Sequence, residues 1–273
     1  MSFENPKIPE GINVSQEHPL KEFFQLGVGI FLVVAAIILV LHFLVGYLVR
    51  FLPFEYEKSM VDHLEVLQVV PSPQQKRLQS LADDLVPLMD LPEGMSITVH
   101  YSDDSTVNAF ATVGGHVFMF KGLLEKMPSE DALAMVMAHE IAHVKHRHPI
   151  VALGKGVTLM AITYATVGAS SSSAGQSIIG HSMNLGLLKF SRDQERQSDD
   201  TALLALHRRY NNVKGAEQLF DIFAGVQSGQ IAPPAILSTH PESKDRWRRL
   251  ESIAQKNGWL TDAPITPLNW SLD

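Results

Sequence analysis

The sequence predicts an α+β domain, mainly helical with a small antiparallel β-sheet, preceded by one transmembrane helix. Three observations carry that reading. An uninterrupted apolar run lies near the N-terminus, long stretches of helical periodicity follow it, and a short alternating segment precedes a Gly-Gly turn. Of the 273 residues 45% are hydrophobic, enough for a packed core rather than a disordered chain. The 22 basic against 29 acidic residues leave a net charge of −7 with no basic block. Nucleic-acid binding, which rests on neutralising phosphates, is thereby excluded. There is no cysteine, so disulfides, thiolate metal sites and cysteine nucleophiles are excluded as well.

Residues 1–23 read as a polar tail and residues 24–50 as the membrane anchor. From Leu26 to Val49 the only side chain that can carry a charge near neutral pH is His42. At 1.5 Å per residue this run spans about 36 Å, sufficient for a hydrocarbon core of about 30 Å with some tilt. It is too long for the apolar part of a signal peptide, and it lacks the polar stripe of a core helix. Lys7 and Lys21 precede it and Arg50 and Lys58 follow it, so the positive-inside count is a tie. A short tail before a single span favours the tail inside and the domain outside, on the outer face of a cell (inner) membrane.

The domain is expected over 54–258, with 259–273 as a C-terminal tail. Glu55 to Asp90 reads as helical, with Leu78, Leu81, Leu85 and Leu88 spaced along one face. Met95 to Tyr101 alternates as a strand does. Asn108–Val113 and His116–Phe120 flank Gly114-Gly115 as the two arms of a hairpin, and His116–Phe120 is expected to offer a free edge to an extended peptide. Residues 156–188 carry no Asp, Glu, Lys or Arg, but their best apolar run, Val157 to Ala169, is too short to span a bilayer. They read as two helices packed in the domain or resting on the membrane surface, with Ser170–Ser173 as a loop tip.

The chemistry-bearing segment is residues 129–149. Ser129 is a good N-cap, Glu130 and Asp131 suit the positive end of a helix dipole, and Lys145, Arg147 and Pro149 mark its end. Within it lies His139-Glu140-x-x-His143. Four residues is just over one helical turn, so both histidines can present nitrogen to one ion. Glu140 points about 100° away, suited to a neighbouring water. Chance would produce this pattern roughly 0.03 times in a chain of this composition. Zinc then needs a third protein ligand. The next glutamate is Glu195, and on a helix over 189–206 Glu195, Asp199, Ala202 and Leu206 form one inward stripe. A carboxylate there needs a partner, which a metal supplies. Asp199, one turn on, can accept the free N–H of a ligand histidine. His146 and His148 read as the exposed end of the motif helix, His100, His116 and His207 as histidines without functional role, and Met135 and Met137 as core filler.

FKGLL (120–124), HEIAH (139–143), Arg147-His148, SRDQERQSDD (191–200) and STHPESKDR (238–246) together resemble the HtpX-type and CaaX-prenyl-protease-type zinc metallopeptidases over roughly residues 60–258. The resemblance implies a zincin-type domain with one Zn2+ per chain, held by His139, His143 and Glu195, and Glu140 as general base. It also brings in His240, near the open metal position as oxyanion stabiliser or gate, and Arg246. By sequence alone His240 reads as an exposed loop residue. Ser198 departs from the alanine usual before the aspartate of that helix. The function so implied is a membrane-anchored zinc metalloendopeptidase acting in quality control on unfolded or membrane-associated polypeptides. The competing expectation is a non-catalytic zinc-containing adaptor or chaperone, against which an intact Glu140 argues. A prenyl-protease role fits less well, because a single anchor builds no intramembrane chamber.

Overall fold

The computed structural model describes residues 19–61, 71–167, 190–227, 235, 236, 240 and 245–268. The expected loop tip at Ser170–Ser173, the latter part of 156–188, Pro241 and most of the N-terminal tail lie outside them. Helix α1 (Pro19–Leu48) is the one helix among the described residues long and apolar enough to cross a membrane. It forms a separate unit up to Leu44, and the remainder of the chain forms a second.

That second unit begins with a 3-10 turn (Val49–Phe51) and α2 (Phe54–Val61). The long helical stretch expected from Glu55 to Asp90 is in fact broken. Pro71-Ser72-Pro73 opens a new helix, α3 (Pro73–Leu85), in which Ser72 caps the Gln75 N–H at 3.0 Å and Pro73 takes the first turn, where a missing N–H costs nothing. Leu78, Leu81, Ala82 and Leu85 are its buried face.

The sheet is three-stranded but mixed, not antiparallel, in the order β1-β3-β2 with β1 (Thr98–Ser102), β2 (Ala109–Ala111) and β3 (His116–Phe120). The hairpin is present, with Phe110 opposite Phe118, and its connection through Val113–Gly115 is longer than two residues. β1 pairs in parallel with the far side of β3, Val99 opposite Val117. His116–Phe120 is therefore the central strand and offers no edge. The outer edge of β1 is met by Gln79, whose amide oxygen accepts from Val99 N–H at 2.8 Å and whose nitrogen donates to Ile97 C=O at 3.1 Å.

The crossover from β1 to β2 explains this order. Asp104 folds its own loop, its carboxylate accepting from Thr106 N–H at 2.7 Å, and its carbonyl accepts from Gly122 N–H at 3.1 Å. The loop then lies so close on Gly122, in α4 (Lys121–Leu124), that a Cβ there would come within 1.9 Å of Ser105 O. The glycine of the FKGLL segment is thus the seat of the crossover.

Helix α5 (Glu130–Lys145) is the centre of the core and is buried on nearly every side, from Asp131 to Val144. Ala132, Ala134, Ala138 and Ala142 let its neighbours approach closely. Those neighbours include α7 (Arg192–Tyr210) and α8 (Lys214–Gln227). Pro149 does not end α5. His146 and Arg147 end it, Arg147 in the left-handed region at φ 61°, and Pro149 lies in the first turn of α6 (His148–Val167). Helix α9 (Asp245–Lys256) closes against α7 and α8. Beyond it Trp259 stacks on His207 at 4.5 Å, and Thr266 exchanges hydrogen bonds with Glu130 and Asp131 at the start of α5.

The substitution Gly122→Ala should lower the stability of the domain by about 1–3 kcal/mol, since the loop must move to admit the methyl group. Thermal unfolding in detergent micelles, compared with the unaltered chain, reads the difference. An unchanged melting temperature would mean that the crossover is not seated there.

Candidate metal centre

The motif helix α5 presents His139, Glu140 and His143, and α7 presents Glu195 and Asp199. The start of α7 is set by a reciprocal capping pair, Ser191 Oγ accepting from Gln194 N–H and Gln194 Oε1 from Ser191 N–H at 2.9 Å. That register turns Glu195, Asp199, Ala202 and Leu206 inward, and all four are buried.

Four donor groups converge, those of His139, His143, Glu195 and His240, one atom from each lying within 4.8 Å of all the others. His139 Nε2 is 3.1 Å from His143 Nε2 and 3.3 Å from His240 Nδ1. Glu195 Oε1 is 3.0 Å from His240 Nδ1 and 3.5 Å from His143 Nε2, and Glu195 Oε2 is 3.5 Å from His139 Nε2. A tetrahedron whose centre lies about 2.0–2.1 Å from each corner, as in zinc sites with nitrogen and carboxylate ligands, has edges of about 3.3–3.4 Å. Three imidazoles and one carboxylate also match zinc in donor type. The residues present fit the ion.

Glu140 stands beside this group. It is fully buried, neither carboxylate oxygen has a hydrogen-bond partner, and Oε1 lies 3.5 Å from His240 Nε2. A carboxylate so placed is costly to bury unless a donor reaches it. That is a suitable position for a group that accepts a proton from a water molecule.

Electrostatics order the ring nitrogens. His139 Nδ1 lies 3.1 Å from Asp199 Oδ1. Burial opposes a charge on His139, yet the hydrogen bonds to Asp199 and Glu195 outweigh it and push its pKa up to about 10. A metal and a proton then compete for Nε2, so metal binding releases protons. Burial, followed by the neighbouring cationic groups, holds His143 well below the usual histidine range, which keeps the ring neutral with one nitrogen lone pair to offer. Glu195 and Asp199 are held below the carboxylate range: burial opposes this, but hydrogen bonds from His139 and His240 prevail at Glu195, and Arg246 with His139 at Asp199. Arg246 grips Asp199 with Nε at 2.9 Å and Nη2 at 2.6 Å, and its Nη1 lies 3.2 Å from Glu195 Oε2.

All the residues singled out in the sequence are therefore brought together. Asp199 stands against His139, one of the two motif histidines. His240 is not the exposed loop residue that sequence alone suggests, being only 3% exposed. His148 is the main correction. It is buried, not at an exposed helix end, with Nδ1 3.1 Å from His143 Nδ1. No periodicity could have found it, because the left-handed Arg147 folds it back out of helical register. Phe190, whose ring centre is 4.0 Å from that of His143, carried no signal either.

Fold and donor set together are of the metallopeptidase class. The model of Peptidase family M48 matches residues 72–254, and the chain belongs to that family. It is 34% identical over 171 residues to the mitochondrial metalloendopeptidase OMA1 of Schizosaccharomyces pombe, covering 61% of this chain and 48% of that protein. Identity to the putative beta-barrel assembly-enhancing protease of Vibrio cholerae is 32% over 152 residues, 52% of this chain and 31% of the relative. The metalloprotease YcaL of Escherichia coli is 28% identical over 152 residues, 52% of this chain and 56% of its own length. The chain thus spans about half or less of the length of the first two.

Replacing Arg246 by Met, which keeps bulk but removes charge, should destabilise the domain by about 3–5 kcal/mol, because Asp199 and Glu195 lose their buried counter-charge. Denaturant unfolding at neutral pH measures this. A loss under about 1 kcal/mol would mean that solvent or other cations balance the two carboxylates.

Proposed function

We propose that the chain is a membrane-anchored, zinc-dependent metalloendopeptidase in which His139, His143 and Glu195 are the protein ligands and Glu140 is the general base. The observation that carries this reading is the unpartnered, buried Glu140 beside a ready set of metal donors. Holding a metal does not require that residue, so a purely structural zinc site leaves it unexplained. Zinc, when bound, would supply a Lewis acid that polarises the scissile carbonyl and makes water acidic at neutral pH. Glu140 then takes the proton from the attacking water and returns it to the leaving amine. Asp199 and Arg246 hold the ligand geometry through His139 and Glu195.

His240 is read as a gate rather than as an oxyanion stabiliser. Its Nδ1 lies among the other donors, at the corner that water or substrate would need, and its Nε2 faces Glu140. Activity then requires His240 to swing away. Helix α1 serves as the anchor and confines the catalytic unit to substrates at a bilayer surface. The OMA1-type and assembly-enhancing relatives support polypeptide substrates, and β2, a short strand on the sheet margin that packs on α5, suits extended, unfolded segments.

The test is cleavage of casein by the full chain in detergent micelles, with and without chelator. Glu140→Gln should abolish cleavage while zinc per chain stays at the unaltered level. Near-normal cleavage would remove Glu140 as base, and no cleavage by the parent protein under any metal loading would favour a non-catalytic role.

His240→Ala should raise casein cleavage on the order of tenfold, since activity scales with the fraction of molecules whose site is open. A drop instead, at unchanged zinc content, would assign His240 to the transition state and not to gating.

A further inference from the structure

Two of the ligand histidines are steadied in different ways. His139 leans on a carboxylate, Asp199. Among the described residues no carboxylate stands at the Nδ1 of His143. Its Nδ1 faces the Nδ1 of another histidine, His148, at 3.1 Å, with the two rings nearly edge-on at 73°. His143 is fully buried and Phe190 packs on its ring, so water has no access to take that role. The Nε2 of His148 lies 3.1 Å from Gln197 Oε1, on the outer side of α7. Ser198 Oγ approaches His148 Nδ1 only at 3.4 Å.

Proton counting makes this arrangement directional. A nitrogen–nitrogen contact of this length holds one proton between two lone pairs. If His143 Nε2 is to offer its lone pair to a metal, its proton must sit on Nδ1. His148 Nδ1 must then accept, so the proton of His148 sits on Nε2 and is donated to Gln197 Oε1. Every nitrogen has a consistent role, and Gln197 sets the last one. We infer that His148, oriented by Gln197, is a positioning residue that fixes the tautomer and ring angle of His143 for metal binding. The inference rests on the reading of His139, His143 and Glu195 as metal ligands. It replaces the carboxylate usual behind a ligand histidine with a neutral imidazole–amide relay.

The test is zinc binding by the full chain in detergent micelles, stripped with chelator and titrated with zinc alone against a chromophoric competitor. His148→Leu keeps bulk but removes the acceptor and should weaken zinc binding by about 10–100-fold. His148→Asn can place an amide oxygen where Nδ1 stood and should recover most of the loss. Gln197→Leu lies on the exposed face of α7, where it cannot unfold the domain, and should weaken binding by a smaller factor. The visible spectrum of the cobalt-loaded protein should change in His148→Leu and in Gln197→Leu and return in His148→Asn. Zinc binding by His148→Leu at the unaltered strength, or a failure of His148→Asn to improve on it, would overturn the inference. If His148→Leu does not fold, Gln197→Leu decides, and unchanged affinity there overturns it. Failure of the unaltered chain to bind one zinc would instead bring down the ligand reading itself.

Discussion

The arrangement depends on one constraint: α7 turns two carboxylates inward against a helix that is itself buried on all sides. Glu195 and Asp199 lie on the stripe that continues into Ala202 and Leu206, so packing α7 on α5 drives both carboxylates out of water. With Glu140 the buried centre holds three carboxyl groups, against which the described residues set one buried guanidinium, that of Arg246. Ionised, they exceed that one cation, and in the metal-free centre a proton held on His139 makes up part of the difference; a divalent cation among the histidines would take the place of that proton. The hydrophobic packing that makes the fold therefore also creates the demand for charge that the site meets.

How far this was legible in the sequence depends on whether a feature is periodic. The two helices that carry the donor residues were, because 3.6-residue periodicity places His139 over His143 and Glu195 over Asp199 whatever surrounds them. The hairpin was legible from its Gly-Gly turn. The parallel pairing of β1 was not, because it depends on a crossover resting on the backbone of Gly122, a contact between distant atoms that leaves no pattern. The break before α3 has its signal in Pro71-Ser72-Pro73, but the apolar spacing on either side of it reads as one helix.

His240 and His148 mark the limit. Neither lies in a regular position relative to the motif, and His148 reaches the centre through a local departure from helical geometry at Arg147. For His240 a resemblance of motifs supplied what periodicity lacked. For His148 nothing did, because the sequence His143-x-x-x-x-His148 on an unbroken helix would carry the second ring about 500° around the axis, away from the first. The turn at Arg147 cancels that rotation.

The same turn ties the site to the segment that follows the apolar helix. A non-glycine residue at φ 61° is strained and persists only if its surroundings hold it. Arg147 is held by a buried ion pair with Glu57 of α2, and Glu57 also accepts the Gly114 N–H at 3.3 Å at the base of the hairpin. Burial pushes the Glu57 carboxyl above its ordinary pKa, and Arg147 is the main influence that opposes this. Each member of the pair therefore needs the other, one for its charge and one for its conformation. Only the turn from Val49 to Phe51 and two further residues separate α2 from the end of α1. A displacement of α2 would thus bear first on Arg147, then on the next residue, His148, and through it on His143. The geometry of the donor cluster and the segment that follows helix α1 share one strained corner.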